Sequence, residues 1–100
     1  MAAGRVDPDL IASIKLRLNI TWCDPVTDGK VVEYARDGIA YIAFKLRSAP
    51  DFSASGLPRM LLMEYCRYAY NDALDAFEAN YQPMILAMQN REAVQNETAT

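Results

Sequence analysis

The stretch from Leu57 to Tyr81, LPRMLLMEYCRYAYNDALDAFEANY, sets the terms on which this chain can fold. At helical spacing it leaves one narrow polar stripe: Glu64, Arg67, Asn71, Asp75, Glu78 and, just beyond, Gln82. The rest of the cylinder is apolar or aromatic, with Leu61, Leu62, Met63, Tyr65, Cys66, Tyr68, Ala69, Tyr70, Ala73, Leu74, Ala76 and Phe77. A helix that covers one side of a small core needs an apolar arc of about 100°. This arc is far wider, so the helix is expected to pack on two sides. In a chain of 100 residues the second side is expected to be another subunit.

Hydrophobic residues at 52% with 23% charged favour a compact globule over a disordered chain. The length fits one helical domain over 1–100, with 1–6 and 96–100 as flexible ends. Net charge is −3 and the basic residues are scattered, which argues against a surface built to grasp nucleic acid. No signal peptide opens the chain, and no apolar run approaches the ~20 residues of a membrane span.

Asp7-Pro8-Asp9 opens a first helix, about 8–18, with Asp7 as N-cap and Pro8 in the first turn. Leu10, Ile11, Ile14 and Leu18 form its apolar stripe. Asn19 to Pro25 breaks the pattern, and the lone Trp22 there reads as a core plug pinning the connector. A second helix, about 27–47, takes Thr27 as cap and buries Val31, Ala35, Ile39, Ile42 and Leu46. Gly38 in its middle costs about 1 kcal/mol against alanine, a cost that close approach of a neighbouring helix would offset.

Ser48 to Gly56 is a polar, mobile loop. Phe52 in its middle either tucks back onto the bundle, the commoner outcome, or stands out as an anchor. Pro58 opens a third helix, about 58–79, whose inward face is expected to carry Leu62, Cys66, Ala69, Ala73 and Phe77. Pro83 interrupts or kinks the run, and a shorter C-terminal helix follows at about 83–95. The fold class is therefore all-α, a small bundle of three long helices and one shorter one.

Reactive clusters are missing from the pattern. There is no histidine, the usual general base near neutral pH. Cys23 and Cys66 lack CxxC spacing and read as two buried, reduced thiols rather than a metal site. The glycines are scattered singly and form no phosphate loop. The expectation is no enzyme, no cofactor and no metal.

The run Leu18-Asn19-Ile20-Thr21-Trp22, followed by Asp24, Thr27-Asp28, Lys30, Gly38 and Tyr41, resembles the N-terminal half of the head–tail connector (adaptor) proteins of long-tailed bacteriophages and prophages. The segment Leu61 to Ala73, ending in Phe77-Glu78 and Asn80-Tyr81, looks like their C-terminal helix signature. Together these cover about residues 8–90. The resemblance implies a small helical protein of the virion head–tail junction, found in the host cytoplasm before assembly. It implies docking beneath the portal protein and self-association into a ring matching the portal's twelvefold symmetry. It also implies extending the channel for passing DNA without sequence-specific binding, and seating a stopper or tail-completion protein, with no membrane involved.

Two other readings stand beside it: a small helical interaction or regulatory protein that dimerises, and, less favoured by charge, a nucleic-acid-binding module. For a ring, two patches are expected to meet between subunits: Tyr65 and Tyr68 on the third helix, and Tyr41 and Phe44 on the second. Phe52 in the loop and Gln95, Asn96 and Glu97 in the tail are then left for portal or stopper.

Overall fold

The computed structural model describes residues 7–48 and 50–99, with side chains as far as residue 91. Among these residues there are four helices and no strand: α1 (Pro8–Arg17), α2 (Pro25–Leu46), α3 (Leu57–Tyr70) and α4 (Leu74–Ala99). The all-α expectation holds, but two boundaries are displaced. The third helix ends at Tyr70 instead of running to 79, and the last helix runs straight through Pro83 to Ala99.

Local chemistry accounts for each boundary. Asp7 caps α1 by accepting from the Asp9 amide at 3.1 Å. Asp24, not Thr27, caps α2: its carboxylate accepts from the Thr27 amide at 3.0 Å and hydroxyl at 2.9 Å, so Pro25 becomes the first helical residue. Three helices end on left-handed residues other than glycine, Asn19 (φ 61°), Arg47 (φ 56°) and Asp72 (φ 57°). Each is followed by an amide reaching back to a carbonyl near the end of its helix: Ile20 to Lys15, Ser48 to Ala43 and Ala73 to Tyr68. Asn71-Asp72 is thus the true end of α3, and the three-residue turn returns α4 along the same helix.

That return decides the packing. α2, α3 and α4 form an antiparallel bundle, α1 lies on α2 and α3, and α3 touches all three other helices. The wide apolar arc of α3 is covered within the chain, by α2 on one side and α4 on the other, so it does not call for a second subunit. Ile14, Val31, Ile42, Leu61, Leu62, Cys66, Phe77 and Ile85 are fully enclosed. Pro83 sits on the outward face of α4, while Phe77, Ile85 and Met88 are buried on the inward one. A helix-interior proline costs about 3 kcal/mol, less than burying those three side chains at about 1.5–3 kcal/mol each.

At Gly38 the side chains of α3 come close against the backbone of α2. A Cβ added there would lie 2.7 Å from Leu62 Cδ1 and 2.8 Å from Tyr65 Cδ1. The glycine admits α3 to the backbone of α2, as its cost in mid-helix implied.

The connectors also differ from expectation. Trp22 is not a core plug but 48% exposed; Ile20 fills the space under the α1–α2 turn instead. Cys23 beside it is exposed, and of the two thiols only Cys66 is buried. Phe52 is tucked in at 8% exposure, so it is not an outward anchor. Its loop is braced from both sides: Arg59 Nη1 donates to the Phe52 carbonyl at 3.0 Å, and Asp51 accepts from the Ser53 amide at 2.9 Å.

Candidate interaction surface

Tyrosines placed on three successive helices meet around one phenylalanine. Phe77, near the start of α4, has Tyr65, Tyr68 and Tyr41 edge-on at centroid distances of 5.3, 5.7 and 6.1 Å, and Tyr81 stacked at 5.1 Å. Such ring pairs add about 0.5–1.5 kcal/mol each beyond the area they bury. The cluster closes because α4 turns back at Asp72; with a continuous third helix Phe77 would have pointed away from Tyr41.

This geometry redistributes the expected interface residues. Tyr41 and Tyr65 are ring neighbours at 5.7 Å and line one dent with Leu74, Phe77 and Glu78, so they do not belong to separate patches. Tyr68 lies on the other side of Phe77, with Tyr81 at 5.7 Å, the Arg67 guanidinium over its ring at 4.9 Å, and its hydroxyl accepting from Asn80 Nδ2 at 2.9 Å. It is built into the monomer. Phe44 alone of the four stands clear, at 78% exposure, as one wall of a shallow dent with Lys45, Arg47 and Gln89. Gln95, Asn96 and Glu97 belong to the backbone of α4, and their side chains lie outside the described residues.

Polar groups frame the aromatic cluster. Tyr41 donates to Glu78 at 2.7 Å, and Lys45 pairs with the same carboxylate at 3.0 Å, joining α2 to α4. Burial and the Glu78 carboxylate both push the Tyr41 hydroxyl well above the usual tyrosine range. On the other flank lies Glu64, 6% exposed and so not on an outward stripe. It accepts from Arg17 of α1 at 2.6 Å, from Arg67 of α3 at 2.6 and 3.0 Å, and from Tyr81 of α4 at 2.8 Å. Burial alone would raise this carboxyl; the donors from Arg67, Tyr81 and Arg17 outweigh it and hold it at about 2. α4 and Arg17 cover a position that the sequence pattern placed in solvent.

Trp22, expected in the interior, instead belongs to an exposed apolar patch with two residues that the sequence pattern did not assign. Leu16 in the last turn of α1, Trp22 in the connector and Val26 in the first turn of α2 are 73%, 48% and 66% exposed. Lys15 pairs with Asp28 at 2.7 Å, holding the end of α1 to the start of α2, and the three residues flank the corner where the two helices meet. The Asp28 oxygen is thereby satisfied. Met60, Leu74 and Leu86 add smaller apolar spots on α3 and α4.

Reactive chemistry is sparse in this arrangement. Burial pushes the Cys66 thiol up to about 12, which keeps it protonated at neutral pH. Among the described residues no group of three or more His, Cys, Asp or Glu is placed to hold a metal ion. No described helix is long and apolar enough to cross a membrane. No family model, curated protein or solved structure matches this chain.

Proposed function

We propose that this chain is a structural component of a phage or prophage head–tail junction, a connector that docks beneath the portal protein. In this role it associates into a ring, extends the channel through which DNA passes, and seats a stopper or tail-completion protein. The reading starts from the sequence resemblance over about residues 8–90.

The observation that carries it is the placement of large apolar side chains. The chain's own helices cover α3, yet the most exposed large apolar side chains include two groups along α2: Leu16, Trp22 and Val26 around the α1–α2 junction, and Phe44 near the end of α2. Two dissimilar patches at opposite ends of one edge suit head-to-tail association, in which one surface meets a different surface of the next copy and rotation closes the ring. A two-fold dimer needs only one.

The test is co-purification with the portal protein encoded in the same phage or prophage genome, followed by electron microscopy. Rings of this chain stacked on the portal are expected. A discrete dimer with no affinity for the portal would refute the reading and favour a small helical regulator.

A further inference from the structure

The outer edge of α2 repeats with alternating steps of four and three residues: Val26, Lys30, Glu33, Asp37, Ala40, Phe44 and Arg47, every one of them exposed. Val26 and Phe44 are five full turns apart, so they lie on one line along the helix, about 27 Å from each other at about 1.5 Å per residue. Between them the edge is charged or small. Along this edge, therefore, the large apolar side chains stand only at its two ends.

From this spacing we infer that the occupant of each end is a second copy of this chain, with the Leu16–Trp22–Val26 corner of one subunit set on Phe44 of the next. The inference rests on the connector reading only for the number of copies; the contact itself comes from the seam.

Charge separates this arrangement from its competitor. Pairing two α2 edges antiparallel about a two-fold axis would also bring Val26 onto Phe44. It would then set Glu33 of each copy against Asp37 of the other, in the middle of the contact, where like charges repel. Setting the copies parallel, one displaced along the other by the 18 residues from Val26 to Phe44, removes that clash and keeps one such apolar contact between each pair of neighbours. It also brings the acidic side chains of the corner, Asp24 and Asp28, towards the cations beside Phe44, Lys45 and Arg47. Aromatic side chains bury about 150–250 Å² each, whereas a stable complex takes about 800 Å² from each partner. One such contact is weak alone and accumulates when several copies are held on a common platform.

Cross-linking reads the geometry directly, because Cys23 is exposed beside Trp22 while Cys66 is buried. Ala40→Cys places a second exposed thiol on the seam, one turn before Phe44. The full-length protein is treated with a short bismaleimide at high concentration, with and without the portal protein. Ala40→Cys should give a ladder beyond the dimer, since each subunit offers one thiol to the copy on either side. The ladder should be absent from the unsubstituted chain and from Cys23→Ser/Ala40→Cys, and lost when Phe44→Asp is added.

Dimers of the unsubstituted chain would mean corner meets corner, and dimers of Cys23→Ser/Ala40→Cys would mean a two-fold edge; either overturns the inference. So does the lack of a ladder under both conditions. Rings on the portal without a ladder would overturn this contact and leave the connector reading standing. A ladder without portal binding would do the reverse.

Discussion

Replacing Gly38 by alanine sets two effects of known sign against each other. In an exposed helix interior the change stabilises by about 1 kcal/mol, because alanine loses less backbone freedom on folding. Here the new methyl would sit 2.7 Å from Leu62 Cδ1 and 2.8 Å from the ring of Tyr65, closer than side-chain carbons approach in practice. Neither neighbour can yield cheaply. Leu62 is fully enclosed, and the Tyr65 ring is held between Tyr41 at 5.7 Å and Phe77 at 5.3 Å. Overpacking a closed core costs about 1–3 kcal/mol, and a site without slack belongs at the upper end. The net expectation is a loss of about 1–2 kcal/mol, a fall in Tm of roughly 5–15 °C for a domain of this size. Gly29→Ala in the same helix is the internal reference, since nothing lies within 4 Å of its added Cβ. That variant should gain up to about 1 kcal/mol. Thermal melts of the two variants should move in opposite directions. A rise in Tm for Gly38→Ala matching that of Gly29→Ala would refute the close α2–α3 contact.

Glu64 gives the fold an acid limit. Its carboxyl is held at about 2 against 4.5 for an ordinary glutamate, so its contribution is present above about pH 4.5 and is lost as pH falls from there towards 2. Urea melts at pH 7 and pH 3 should show the unsubstituted chain losing more stability between the two than Glu64→Gln does; equal losses would show that the carboxylate is not the group responsible. Pro83→Ala should raise Tm by restoring a helix-interior amide and removing a clash of up to about 3 kcal/mol, and a fall would mean that the packing of α4 depends on the proline.

How much of this was legible in the sequence varies by position. Helical period and the Asp7-Pro8 cap fixed α1 to within a residue, and the α2 stripe of Val31, Ala35, Ile42 and Leu46 lies inward as its spacing required. The α3–α4 boundary was misplaced because Pro83 is a louder signal than Asn71-Asp72, although Asn and Asp are the residues that accept a left-handed turn most readily after glycine. A proline's cost is local and a helix can absorb it; a left-handed residue ends the helix outright. That one shift explains the misreading of Glu64 and of the apolar arc of α3, since both depend on where α4 lies. Trp22 and Ile20 could not be ranked from sequence: both suit a connector interior, and the turn at Asn19 decides which side chain faces in. Of the four expected interface residues, Phe44 kept its exposure on the outer edge of α2, whereas Tyr65 and Tyr68 were drawn onto Phe77 by a contact across the new turn.

An apolar helix interface tolerates sliding: one leucine fits a groove about as well as the next, and a shift by one turn, about 5.4 Å, trades one set of dispersion contacts for another. The carboxylate of Glu64 removes that tolerance. Its donors arrive from α1, α3 and α4, at 2.6 to 3.0 Å. If α4 moved by a single turn, the Tyr81 hydroxyl would leave its acceptor; if α1 moved, Arg17 would. In either case a buried charge would lose part of its solvation shell with no water to replace it. The node therefore acts as an indexing pin, setting the axial position of two helices against a third. The corner formed at the end of α1 and the aromatic face carried by α4 inherit their relative placement from that one side chain.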